Sequence, residues 1–170
     1  MPCIPTPCSG TSPSDGPGGL AISRSTNSSP APNTMNYTTM KAASEYSGSK
    51  GIMVGLEDHY GVSQSAKVCL EVMHRVNSPY AGINLDITHF DKKDGDPYAQ
   101  IASCIPFATN THIRTQFDDG TPIDMDRVWK MFADAGFKGY MSYEGEEMDT
   151  PGIPSTIAEI ERLCRKYSSV

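Results

Sequence analysis

From residue 51 onward the chain repeats one pattern four times: a short run suited to a β-strand, then a stretch whose apolar residues recur at three and four positions. The strand runs are Gly51–Glu57, Gly82–Asp86, Asn110–Arg114 and Gly139–Glu144. The helix after the first run is expected to be capped by Ser63, to carry Ala66, Val68, Cys69, Val72, Met73 and Val76, and to end near Asn77-Ser78-Pro79. A short helix around Tyr98 to Cys104, a helix with Val128, Trp129, Met131, Phe132 and Ala135 stopped by Gly136, and a last helix from Ile153 to Tyr167 complete the series. Lys41 to Ser47 reads as the end of a preceding helix, closed by Gly48. Strands alternating with helices at about 30 residues per unit run parallel and are joined by right-handed crossovers. This is an α/β chain, and an open doubly wound sheet and half of a barrel both satisfy the pattern. The first strand-to-helix turn lacks a GxGxxG phosphate fingerprint, which argues against a dinucleotide-binding fold.

The first 34 residues differ in kind: 18 are Pro, Ser or Gly, and only Asp15 and Arg24 are charged. Such a composition buries too little apolar surface to offset the entropy lost on ordering. Residues 1–39 are therefore expected to form a disordered leader, and residues 40–170 the folded domain. A regulatory tail, a linker and a non-native leader ahead of a truncated gene all fit that composition. With a net charge of −6 and 14 scattered Lys and Arg over 170 residues, the chain has no nucleic-acid footprint. No run approaches the roughly 20 apolar residues of a membrane span, and the N-terminus lacks a signal peptide's basic start and apolar run, so a cytoplasmic location is expected. Cys3, Cys8, Cys69, Cys104 and Cys164 contain no CxxC pair and read as buried or idle thiols.

Each strand run carries near its end a group that can hold a metal or move a proton: Glu57, Asp86, His112 and Glu144. Their intervals of 29, 26 and 32 residues match the βα repeat, which places all four at the same end of one parallel sheet. Residues two apart on a strand share a face. Two positions before the four groups stand Gly55, Asn84, Asn110 and Ser142, all small or polar, and one position before stand Leu56, Leu85, Thr111 and Tyr143, suited to packing beneath helices. Three carboxylates and an imidazole brought together repel one another and resist burial unless a cation compensates them. Oxygen-rich ligation with one nitrogen and no thiolate suits Mn²⁺, Mg²⁺ or Co²⁺, while zinc stays open because ligand type alone does not settle the metal. The competing expectation is four polar strand ends solvated at loop mouths.

Four motifs at these positions resemble those of the sugar phosphate isomerase/epimerase family, the xylose isomerase-like TIM barrels. Gly55-Leu56-Glu57-Asp58-His59-Tyr60-Gly61 is similar to the family's strand-five Leu-Glu-Asn-His-Gly-Gly signature, and Leu85-Asp86-Ile87-Thr88-His89-Phe90 to its Asp-x-x-His element. Asn110-Thr111-His112-Ile113-Arg114 resembles its His-x-Lys/Arg element, and the run from Gly139 to Glu144 its Gly-Tyr-x-x-x-Glu element. The resemblance implies that Glu57, Asp86, His112 and Glu144 are metal ligands and that Glu57 and Glu144 are also the catalytic acid/base pair, acting on either side of an enediolate. It implies that His89 faces substrate, with orientation of Asp86 as the alternative role. Arg114 would hold a substrate hydroxyl or phosphate, or pair with Glu144 or Glu146, and His59 would support substrate binding. Glu146 and Glu147 stand in reserve for Glu144 should the strand boundary shift by two. Trp129 reads as core, and His74 as a surface residue.

Complete members of that family carry four further βα units before the first glutamate, so the resemblance implies the C-terminal half of a TIM barrel, with two unpaired strand edges and a broad apolar inner surface. Closure by a second copy, completion by a separate N-terminal half, and a gene fragment that folds poorly are the three outcomes. The expected activity is divalent-metal-dependent isomerisation or epimerisation of a sugar or sugar phosphate, with neither nucleic acid nor membrane as partner. A dehydratase or an endonuclease on the same scaffold is a rival, the endonuclease disfavoured by having four histidines and an acidic charge. A non-catalytic half-barrel that binds a metal or a partner is another.

Overall fold

A computed structural model describes residues 32–145 and 152–168. The order of elements is α1 (Pro32–Gly48), β1 (Val54–Glu57), α2 (Ala66–Val76), β2 (Ala81–Asp86), α3 (Pro97–Cys104), β3 (Ala108–Ile113), α4 (Met125–Asp134), β4 (Tyr140–Tyr143) and α5 (Ile153–Tyr167). Aspartates start two of the helices: Asp96 accepts the Tyr98 amide ahead of α3, where Pro97 takes the first turn, and Asp124 accepts the Arg127 amide of α4. Asn77 closes α2 in the left-handed conformation, at φ 43°.

The strands form one sheet in the order β1-β2-β3-β4, with every neighbouring pair parallel. Each helix touches the next, α1 on α2, α2 on α3, α3 on α4 and α4 on α5. A doubly wound sheet divides its helices between two faces and reverses its strand order. A sequential sheet backed by one continuous layer of helices is instead the arc of a partial TIM barrel. Between sheet and helices lies the core, in which Ile83, Leu85, Ile113, Cys69, Ile101, Cys104, Val128, Phe132 and Leu163 are fully buried and Trp129 nearly so. Burial of a Leu, Ile or Phe contributes about 1.5–3 kcal/mol. It also pushes the Cys69 and Cys104 thiols up, Cys104 to about 12, so both stay protonated and inert.

Three expectations are corrected. Helix α1 reaches back to Pro32, so residues 32–39 belong to a helix and not to the leader; Tyr37 and Met40 are drawn in because they pack on the core. Residues 1–31 lie outside the described residues. Ser63 does not cap α2: it sits in a 3₁₀ turn, Gly61–Gln64, where its hydroxyl donates to the His59 carbonyl at 2.8 Å, and Ser65 takes the cap position. The inner surface beneath the four groups is polar, as the small or polar residues two positions before them implied, and not the broad apolar surface expected of a half-barrel. Asn110 Nδ2 donates to Asn84 Oδ1 at 2.9 Å and Ser142 Oγ to Asn110 Oδ1 at 3.1 Å, a row of side chains across β2, β3 and β4. Among the described residues β1 and β4 each have one strand neighbour, and no helix is long and apolar enough to cross a membrane.

Candidate metal centre

Register brings the four strand-end groups together. Asp86 on β2 pairs with His112 on β3, Glu57 is the last paired residue of β1, and Glu144 follows β4, its amide bonded to the Ile113 carbonyl at 3.0 Å. One ligand atom from each of Glu57, Asp86 and His112 lies within 4.8 Å of the other two. His112 Nδ1 stands 3.1 Å from Glu57 Oε1 and 3.0 Å from Glu144 Oε2, so the fourth group joins through the same ring nitrogen. Nε2 of that ring is turned to Asn84 Nδ2, at 3.3 Å.

Asp86 Oδ2, His112 Nδ1 and Glu144 Oε2 are buried without a hydrogen bond, despite their closeness. Buried polar atoms are normally satisfied, and leaving one unsatisfied costs about 1–3 kcal/mol. Such atoms from two carboxylates and an imidazole, with the Glu57 carboxylate beside them, fit a divalent cation. Beside them opens a cavity of about 520 Å³ whose lining includes Tyr60, Arg114, Asp118, Tyr143 and Glu144.

The sequence model of the xylose isomerase-like TIM barrels matches residues 33–166. The chain belongs to this family. No curated protein sequence is significantly similar to it. A xylose isomerase domain protein from Planctomyces limnophilus superposes with a TM-score of 0.69 at 20% identity, over 88% of this chain and 58% of its own. A xylose isomerase-like TIM barrel protein from Mycobacterium smegmatis, in complex with magnesium, gives 0.67 at 15% identity over 86% and 55%. D-allulose 3-epimerase from Methylomonas sp. gives 0.57 at 17% identity over 72% and 46%. The xylose isomerase-like chain thus spans about half the length of the solved structures it matches.

Of the three expected substrate-binding residues, only Arg114 lines the cavity; its guanidinium lies 3.3 Å from Glu144 Oε1 and 3.9 Å from Asp86 Oδ2. The pairing with Glu144 is therefore present, whereas Glu146 and Glu147 lie outside the described residues. His89 is 1% exposed. Its Nε2 lies 3.2 Å from Asp86 Oδ2 and its Nδ1 2.9 Å from Asp118 Oδ2, so the ring bridges the two carboxylates. His59 packs edge-on against Tyr60 and His89, at centroid distances of 4.4 and 4.5 Å. His74 is exposed and Trp129 buried, as anticipated.

Two aspartates here were not anticipated: Asp118, whose partner lies 29 residues away, and Asp58, buried beside Glu57. Burial pushes the Asp58 carboxyl well up, assisted by the negative neighbours Asp86 and Glu57 and opposed by the Asp86 amide. Burial also acts to raise Asp86, but His89 and the Thr88 hydroxyl and amide outweigh it and hold the carboxyl below its usual value.

Burial acts to lower the His89 imidazole, yet Asp86 and Asp118 together raise it from 6.5 to about 9. A raised folded-state value stabilises the metal-free chain fully below pH about 6.5, and that contribution is lost as pH rises through about 9. The shift corresponds to at most about 3 kcal/mol. The urea midpoint of the metal-free chain is expected to fall between pH 6.5 and pH 9, and to fall less in Asp118→Asn; urea denaturation across that range checks it.

Proposed function

We propose that the chain carries the metal-binding and proton-transfer centre of an isomerase or epimerase of sugars or sugar phosphates. The observation that supports this most is the convergence of Glu57, Asp86, His112 and Glu144, the last three with a buried unsatisfied atom each, at the C-terminal end of a parallel barrel sheet. These four residues would hold a divalent cation, Mn²⁺, Mg²⁺ or Co²⁺, which when bound supplies Lewis acidity toward the carbonyl and neighbouring hydroxyl oxygens of a sugar. Glu57 and Glu144 reach His112 from β1 and from beyond β4, that is, from either side of β3. Two carboxylates so disposed suit removal of the proton beside the carbonyl by one and its return by the other, through an enediolate. Arg114 pairs with Glu144 and lines the cavity, where a sugar hydroxyl or phosphate would accept from its guanidinium. Tyr60 and Tyr143 give the same cavity apolar faces suited to C–H surfaces.

Incubation with Mn²⁺ and D-fructose or D-allulose in deuterated water tests the reading. Deuterium is expected at the carbon next to the carbonyl, together with the epimeric ketose. A chain that binds Mn²⁺ by titration yet exchanges no deuterium into a panel of ketoses and ketose phosphates would contradict it and leave a non-catalytic metal-binding domain.

A further inference from the structure

Backbone pairing between β1 and β2 ends at Glu57, opposite Asn84. Amides along a strand alternate sides, and the Ile87 amide goes to the His112 carbonyl on β3 at 3.2 Å. The Asp86 amide therefore faces β1, past the end of that ladder. Buried backbone amides in folded proteins are almost always paired. Here a side chain supplies the acceptor: Asp58 Oδ1 takes the Asp86 amide at 2.8 Å, with both residues fully buried.

Asp58 directly follows one expected ligand, Glu57, and its bond ends on the backbone of another, Asp86. The Asp86 carboxylate is fixed separately, since the Thr88 amide and hydroxyl donate to Oδ1 at 2.9 and 2.5 Å and leave Oδ2, 3.2 Å from His89 Nε2, without a hydrogen bond. Thr88 thus sets which oxygen is occupied, while the Asp58 bond sets where the residue bearing it stands. We infer that Asp58 is a positioning residue of the metal centre: its side chain replaces the backbone carbonyl that β1 no longer offers and holds Glu57 and Asp86 at ligating distance. The inference rests on the metal-binding reading above. It requires an oxygen at the Asp58 Oδ1 position and nothing else of that side chain, so Asn should serve and an isosteric apolar residue should not.

The experiment compares the wild-type chain with Asp58→Asn and Asp58→Leu. Mn²⁺ affinity is measured by paramagnetic resonance titration at a temperature where each protein melts cooperatively above it, and hydrogen exchange of the Asp86 amide is measured without metal. Affinity near wild type in the Asn variant and a 10- to 100-fold loss in the Leu variant are expected. The Asp86 amide should be protected in wild type and Asn and should exchange fast in Leu. Equal affinity in wild type and Leu, or an Asn variant as weak as Leu, would overturn the assignment. So would an unprotected Asp86 amide in metal-free wild type, a result that needs neither variant to fold. Failure of wild type to bind Mn²⁺ with the amide protected would instead overturn the metal reading, and with it the assignment of Asp58 to a metal centre.

Discussion

Glu144→Gln is expected to reduce deuterium exchange into a ketose by about 10²- to 10⁴-fold, the usual worth of a positioned acid or base. Gln keeps the shape of the side chain and a carbonyl oxygen, but it takes up no proton and gives Arg114, 3.3 Å away, no negative charge to pair with. The Glu144 side chain is 39% exposed, at the end of a short strand, so its replacement removes no part of the core. Unfolding midpoints of the metal-free wild type and variant should therefore nearly coincide while exchange rates diverge. Equal rates would remove Glu144 from the proton-transfer role.

Phe132→Ala is expected to act in the opposite way, costing about 3–5 kcal/mol of stability. Phe132 is fully buried on α4 and meets Phe137 edge-on at a centroid distance of 5.0 Å. A cavity left there loosens the packing of α4 on the core. Urea denaturation measures the loss. In the fraction that remains folded, Mn²⁺ affinity should stay near wild type, because no ligand lies on α4. A cost below about 1 kcal/mol would mean that the helix layer closes over the site of the deletion.

Much of this was legible because the apolar period changes between strand and helix at a regular interval. That interval alone put Glu57, Asp86, His112 and Glu144 on one sheet end, and register then joined Asp86 directly to His112. The choice between a doubly wound sheet and a barrel arc was not legible from the period, since it depends on which face each helix covers. The early part of α1 was hidden because Pro32 and its polar neighbours read as leader, and only packing of Tyr37 and Met40 on the core shows why they fold. Asp58 escaped notice for a related reason: its partner is an amide 28 residues away, exposed by the place where one ladder stops. His89 faced inward because Asp118, in the turn after β3, holds its second nitrogen, and no local pattern announces such a pair.

Whether the four strand-end residues form one divalent-metal site is decided by thermal unfolding of the chain with and without Mn²⁺, wild type against Asp86→Ala. At 100 times its dissociation constant, a metal that binds only the folded state stabilises it by about 2.7 kcal/mol. A cooperative transition raised by Mn²⁺ in wild type and left unmoved in Asp86→Ala is expected. A wild-type transition indifferent to Mn²⁺, Mg²⁺ and Co²⁺ alike would contradict it.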